Sequence, residues 1–370
     1  GSDLFERLSR MPRKLKDCAT RIFQGLITSA DTVYVFEKFR PDSKGHAREV
    51  FSNELGRWVE IESRILRPAI RSGSIRRYEA EPTALLLFPY EVKGAVARLF
   101  SATELERDYP KAHKYLLENK RVLENREGGK FRDKQWYRFG RSQNLGMWEQ
   151  PKLLIPYMIT ELSAFFDRSH RYCFVNVTTG GYGLTVDGSS VSLAYVCGLL
   201  NSRLLDFYLK HVTTPFRSGY FAASKQYVEQ LPIRTLDFSK AQDKVRHDRL
   251  VSLVEEMQEL KIRLTSIKHP DDKIRLQRRI QTTDLEIDHL VYDLYGVTEV
   301  EIASLDGKGE NALDDNVEPP LSRPSRFGPE APPLAEAARQ PSEGGGGAPP
   351  STSRARRRVH GVRERTGDYG

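Results

Sequence analysis

The stretch "TTPFRSGYFAASKQYVEQLPI", Thr213 to Ile233, decides the fold. It follows a helix-like run, "AYVCGLLNSRLLDFYLKHV", that starts at Ala194. Together they read as a short amphipathic helix with Asn201-Ser202 near its middle, an aromatic–glycine loop, and a segment closing on Leu231-Pro232-Ile233. Gly219 in the loop would let backbone N–H groups approach a phosphate, and the same residues also suit a tight turn before a last strand.

Upstream, residues 3–239 read as one mixed α/β domain. Phe23 to Ile27 and Val33 to Phe36 are β-like runs around the turn-forming Thr28-Ser29-Ala30-Asp31, so Gln24 to Phe36 reads as a hairpin. Ala84 to Tyr90 is a short buried strand candidate. Ala102 to Arg126 is helical, with Tyr109, His113, Leu116 and Leu123 near one face. Pro151 to Ile159 and Arg171 to Thr179 are again strand-like, and Ser192 to His211 is a helix. Downstream the pattern changes. Leu250, Leu253, Met257, Leu260, Leu264 and Ile267 follow a heptad seam, "KHPDD" (Lys268 to Asp272) breaks it, and Leu276, Ile280, Ile287, Leu290 and Leu294 line a second helix. Residues 240–303 are therefore expected to form an antiparallel helical hairpin ended by Gly296. The fold class is α+β, with this hairpin as spacer and a disordered tail over 304–370, where prolines and the Gly344 to Gly347 run preclude a core.

The 370 residues carry a net charge of +8, and nine Arg against five acids from Leu321 onward account for half of it. "RARRRVHGVRER", Arg354 to Arg365, reads as a solvated basic end that could also touch phosphates. The remaining body is mildly basic, which is compatible with DNA contact without demanding it. There is no run of about 18 apolar residues and no signal peptide, so the expectation is a cytoplasmic protein with no membrane partner. Gly1-Ser2 resembles an expression scar, so a fragment of something longer is expected. Cys18, Cys173 and Cys197 are widely spaced and read as buried reduced thiols; neither they nor the scattered His residues suggest a metal site.

A search for catalytic motifs yields little. No Asn/Asp-Pro-Pro-Tyr or Phe motif, of the kind that holds a flipped base in amino-methyltransferases, occurs. "TTGGYG", Thr178 to Gly183, follows a strand and runs into "LTVDG", which suits a turn or bulge better than an S-adenosylmethionine loop. Glu91-Val92-Lys93, with Asp42 as a further carboxylate, has the local form of a magnesium-dependent nuclease. A metal-dependent DNA nuclease is thus one alternative function, and a phage-defence adaptor binding a protein through the heptad seam is another.

Two loops suit DNA better. "KFRDKQWYRFGRSQNL", Lys130 to Leu145, gathers Lys130, Arg132, Lys134, Arg138 and Arg141 around Trp136, Tyr137 and Phe139, with Gln143 and Asn144 following. Arg and Lys neutralise phosphates or read guanine, and Gln and Asn can pair with adenine in the major groove. The Thr213 to Tyr227 loop offers Arg217, Ser218, Tyr220 and Lys225. Lys130, Arg132 and Lys225 are the phosphate candidates; Arg141, Gln143, Asn144 and Arg217 are the base-reading candidates. A polar loop with structural aromatics remains the plain alternative for the first cluster.

An ordered set of pieces carries a family resemblance: "QGLITSADTVYVF" (24–36), "ILRPAIRSGSIRRY" (65–78) with "LLLFPY" (85–90), "YLLENKRVLENR" (115–126) with "WYRFGRSQN" (136–144), "PKLLIPYM" (151–158), "LLNSRLLDFYLK" (199–210), "GYFAASKQYVEQLPI" (219–233) and "IDHLVYDLYGVTEVEI" (287–302). Over about residues 18–303 the chain resembles the C-terminal part of type II restriction–modification methyltransferases with a TaqI-like specificity domain. Type I specificity subunits are similar in design. The resemblance implies a module that recognises double-stranded DNA and partners a methyltransferase domain in cis or in trans. That domain would use S-adenosylmethionine to methylate adenine. No cofactor and no catalytic residue are expected in this chain itself, since the catalytic motif is missing from it.

Overall fold

A computed structural model describes residues 2–42, 45–188 and 191–305. The disordered tail expected over 304–370 lies outside the described residues from 306 onward, and its first two positions end the helix Glu299–Leu305.

The strand Lys152–Pro156 is buried along its whole length because it has a core on each side. It lies inside a four-stranded antiparallel sheet, between Gly181–Val186 and Phe165–Asp167, with Ala19–Gln24 on the outer side of Gly181–Val186. Side chains alternate across a strand. Leu153 and Ile155 accordingly join one hydrophobic cluster, and Leu154 joins the other. This explains why "KLLIP" reads as a continuous apolar run rather than an alternating one. The glycines of "GGYG" let the neighbouring strands close up. A Cβ on Gly181 would meet the Ile155 carbonyl oxygen at 2.0 Å, and one on Gly183 would meet the Phe23 ring at 2.3 Å. Of the turn or bulge expected over Thr178 to Gly183, the turn ends at Gly180, whose N–H donates to the Val177 carbonyl at 3.2 Å, and Gly181 to Gly183 already belong to the strand Gly181–Val186.

The hairpin expected over Gln24 to Phe36 does not form. Ala19–Gln24 pairs with Gly181–Val186, whereas Val35–Phe36 pairs with Ala84–Leu87 in a second four-stranded sheet. Between them Asp31–Tyr34 is a helical turn. Each run found a partner far away in sequence, which local turn chemistry cannot foresee. In the second sheet Leu66–Ile70 is flanked by Ala84–Leu87 and, in parallel, by Cys173–Phe174, the only strand within the longer Arg171 to Thr179 expectation. The helix expected over Ala102 to Arg126 is broken into Ala102–Asp108, Pro110–Glu118, Lys120–Glu124 and the distorted turn Arg126–Gly129. Pro110 cannot continue the first of these and begins the second.

The helix expected over Ser192 to His211 is two helices, Leu193–Leu200 and Arg203–Val212. Asn201-Ser202 marks the break. The Ser202 hydroxyl oxygen accepts from Leu205 N–H at 3.3 Å as an N-cap, and Asn201 clamps residue 164, accepting from its N–H and donating to its carbonyl at 2.8 Å each.

The helical hairpin forms as expected from Ala241–Ser266 and Pro270–Tyr295, with Gly296 in the left-handed region at φ 60°. Leu250, Leu253, Met257, Leu260, Leu276, Ile287 and Leu294 are buried, while Leu264 and Ile267 are only half-buried. The hairpin also packs onto the α/β part: a Cβ on Gly198 would sit 2.9 Å from the Leu250 side chain. The Tyr295 hydroxyl donates to the Pro232 carbonyl at 2.8 Å, tying the Leu-Pro-Ile segment to the second helix. The boundary drawn at 239/240 thus separates two architectures that share one core. Among the described residues no helix is long and apolar enough to cross a membrane.

Candidate nucleic-acid interface

The loop that follows Glu124 is organised by a buried arginine. Arg126, 7% exposed, donates through Nε to the Leu123 carbonyl at 2.8 Å and through Nη1 to the Thr28 carbonyl at 2.7 Å. Its Nη2 donates to the carbonyls of Trp136 at 2.7 Å and Arg138 at 2.9 Å. A guanidinium is the side chain whose fixed fork can satisfy several carbonyls at once. The loop is strapped down further where Gly140 N–H donates to the Thr28 carbonyl at 3.0 Å and Arg141 N–H to the Ile27 carbonyl at 3.1 Å. Trp136, Tyr137 and Phe139 all turn inward. The Tyr34 hydroxyl donates to the Tyr137 carbonyl at 2.6 Å, and Phe139 N–H donates to the Tyr90 hydroxyl oxygen at 2.6 Å. The aromatics therefore anchor the loop rather than offer stacking faces, and the cations are left on the rim.

That rim is strongly positive. Besides the buried Arg126, residues 120–141 hold seven Lys and Arg against three Asp and Glu. Lys130 is 73% exposed, and Arg141 is half-exposed with Nη1 on Glu127 Oε1 at 2.8 Å. Arg132 is exposed and donates to Asn125 Oδ1 at 2.5 Å. Arg138 is less available: its side chain is 28% exposed, bonds Asp133 at 2.7 Å and lies 4.6 Å from the Phe131 ring centre. Gln143 is exposed; Asn144 is half-buried in a left-handed conformation, φ 62°, at the start of the 3-10 turn Leu145–Glu149.

The second loop is a small hairpin. Phe216 N–H donates to the Tyr220 carbonyl at 2.7 Å, and Ser218 and Gly219 at the tip take φ 67° and 76°. The tight-turn alternative thus describes its backbone. Its short strand Phe221–Ala222 pairs with Met158–Ile159. Lys225 is exposed at the start of the helical turn Lys225–Val228, and Tyr220 is half-buried. The Arg217 side chain lies outside the described residues. The two loops rest on different cores: Trp136, Tyr137 and Phe139 belong to one cluster, and Phe221, Ala223 and Val228 to the other.

Arg126 and Glu127 were not among the sequence candidates. Arg126 closes a run that reads as helical and Glu127 follows it; both look like ordinary solvent-facing charges, and the Gly128-Gly129 pair is the one local sign of a break.

The nuclease candidates do not converge into a metal centre. Glu91 lies in a strand, Tyr90–Lys93, of a two-stranded hairpin with Val96–Leu99. Its carboxylate is held by Arg98 at 2.9 Å and Lys93 at 3.2 Å, and these bonds keep its acid below the usual carboxylate range. Asp42 accepts from Gly45 N–H at 2.5 Å and from the Ser63 hydroxyl. Among the described residues no three His, Cys, Asp or Glu side chains are grouped as metal ligands. The three cysteines are free and buried, and burial pushes the Cys173 and Cys197 thiols up to about 12.

Comparison with known proteins agrees with this geometry. Residues 101–233, which contain both loops, match the TaqI-like C-terminal specificity domain. The chain is also 24% identical over 294 residues to the type II restriction enzyme and methyltransferase RM.Eco57I of Escherichia coli, a match that covers 76% of this chain. It spans 29% of the length of that relative. The resemblance carried by the ordered sequence pieces, to the TaqI-like specificity region of type II restriction–modification enzymes, is therefore shown by a family match and by a relative of that kind.

Proposed function

We propose that the chain is the sequence-specific, double-stranded DNA recognition module of a restriction–modification adenine methyltransferase. The observation that carries this reading is the Arg126-stapled loop. It fixes a rim of exposed residues, Lys130, Arg132, Arg141 and Gln143, with the half-buried Asn144 beside them, on a buried aromatic base within the matched segment. Rigid presentation matters because phosphate contacts set register and a few side chains then read base edges. The module would hold the duplex in the cytoplasm while a catalytic domain, in cis or in trans, flips and methylates the base using S-adenosylmethionine.

The chain alone is expected to bind duplex DNA with an affinity that falls steeply as salt rises, to transfer no methyl group from labelled S-adenosylmethionine, and to cleave nothing with magnesium present. Salt-insensitive or absent duplex binding would remove the DNA reading in favour of a protein adaptor. Metal-dependent cleavage would favour the nuclease.

A further inference from the structure

Three donors from two distant segments converge on one carboxylate. Glu127 Oε1 accepts from the Ser29 hydroxyl at 3.0 Å and from Arg141 Nη1 at 2.8 Å, and Oε2 lies 3.8 Å from Lys130 Nζ. Ser29 and Glu127 are 98 residues apart, and both occupy the left-handed region, at φ 56° and φ 48°. Side chains other than glycine, Asn and Asp are uncommon there, and residues held so tend to cluster at functional sites. Ser29 is also wedged against Gly140, where a Cβ would lie 1.9 Å from the Ser29 hydroxyl oxygen. The chain thus maintains an unfavourable backbone at two points to bring this hydroxyl and this carboxylate together.

A hydroxyl, a guanidinium and an ammonium facing one anion form the donor set that a phosphodiester accepts from. We infer that Ser29, Lys130 and Arg141 form a phosphate cradle which Glu127 fills in the free chain and which a DNA backbone phosphate takes over on binding, so that Glu127 suppresses attachment to non-cognate duplex. This rests on the DNA-recognition reading above. It also moves Arg141 from the base-reading group to the phosphate group.

The exchange is easy in physical terms. The side chains involved are partly or largely exposed, so each ion pair is weak, and one anion replaces another on the same donors. Hydrogen bonds from Arg141 and then Ser29 keep the Glu127 acid below the usual carboxylate range, so it stays ionised and competes throughout the neutral range. A non-cognate duplex offers little beyond its phosphates and meets this competition in full. A cognate duplex adds base contacts that outweigh it.

The test is a titration of the purified chain with a scrambled duplex at low and moderate salt, for the parent, Glu127→Gln, Glu127→Gly and Glu124→Gln. Glutamine keeps an acceptor for Ser29 and Arg141. Glycine suits the left-handed backbone, so thermal melting of that variant should match or exceed the parent. Glu124 carries the same charge a few residues away, with Oε1 3.7 Å from Lys120. Both Glu127 variants should bind the scrambled duplex about 3- to 10-fold more tightly at low salt, and Glu124→Gln should stay within about twofold of the parent. In an Arg141→Ala background the gain from Glu127→Gln should shrink to less than about twofold, because the cradle has lost its guanidinium. An equal gain in Glu124→Gln, or no gain in either Glu127 variant while the parent binds DNA, overturns the cradle and leaves the recognition reading standing. A parent chain that binds no duplex at low salt overturns both.

Discussion

Arg126 reaches back 98 residues to donate a 2.7 Å hydrogen bond to the Thr28 carbonyl, and the same guanidinium holds the carbonyls of Trp136 and Arg138. One buried side chain therefore ties the turn after the first strand to the middle of the cation-bearing loop. Arg126→Ala would remove the side-chain donor to the carbonyls of Leu123, Trp136 and Arg138, and would leave the Thr28 carbonyl only its bond from Gly140 N–H. A loss of about 3–4 kcal/mol is expected in denaturant unfolding, with DNA affinity falling in parallel. Unchanged stability would show that the loop stands without its staple.

The helical hairpin gives a graded prediction. Met257 is 1% exposed against Leu264, which is half-buried near the end of the first helix. Met257→Asp should destabilise by on the order of 3 kcal/mol, whereas Leu264→Asp should cost about 1 kcal/mol. Equal losses in thermal unfolding would mean that the seam is packed along its whole length.

Asp288 supplies a pH signature. Burial, opposed by Arg77, raises its acid to about 6, and its carboxylate accepts from Arg203 N–H at 2.9 Å. Arg77 also bonds Asp284 at 2.9 Å, so this group couples the α/β part to the second hairpin helix. An Asp with a raised folded pKa binds more protons folded than unfolded between about pH 4 and 6, so its contribution to stability falls as pH rises through that window, by up to about 3 kcal/mol. Unfolding free energies between pH 4 and 6.5 should show this slope in the parent and a flatter profile in Asp288→Asn. Parallel profiles would contradict the assignment.

Lys152 and Asp167 form a fully buried ion pair at 2.7 Å beside the Trp148 carbonyl. Burial lowers the Lys152 ammonium, while Asp167 opposes that shift. Asp167→Asn strands a buried cation and should cost about 3–5 kcal/mol in chemical denaturation. A loss below about 1 kcal/mol would mean that Lys152 finds another partner or discharges.

Much of this architecture is legible in the sequence. The hairpin follows from the spacing of Leu250 to Ile267 and from Gly296, because a two-helix seam is written in local periodicity. The buried strand at Leu153 to Ile155 is legible instead as a short continuous apolar run. The strand pairing is non-local and was missed: Phe23 and Val35 lie in neighbouring β-like runs, yet each joins a strand far along the chain. The loop at 130–144 was found through its cations and amides. Its organising residue was not, because nothing in "ENREGG" distinguishes the buried Arg126 from a solvated one. The Asn201-Ser202 break was present as an N-cap residue inside an apolar run, a signal that the helical period overrode.

Alanine variants divide the candidate contacts. Lys130→Ala, Arg132→Ala and Lys225→Ala should weaken binding to every duplex and lower the salt slope by about one unit each. Gln143→Ala, Asn144→Ala and Arg217→Ala should each cost about 1–3 kcal/mol on the recognised sequence while barely changing non-cognate binding. Arg141→Ala belongs with the second set if it reads a base and with the first if the Glu127 cradle is correct. Competition titrations at two salt concentrations separate the patterns. Seven variants that all behave as the parent would put the recognition surface elsewhere.

The central claim is that this chain chooses a DNA sequence. The most direct measurement is selection of duplexes with a randomised central stretch by the purified chain, followed by sequencing of what is retained. The account predicts enrichment of one short motif over successive rounds, relaxed by Gln143→Ala or Asn144→Ala. Retained duplexes no different in sequence from the starting pool, or none retained at low salt, would contradict it.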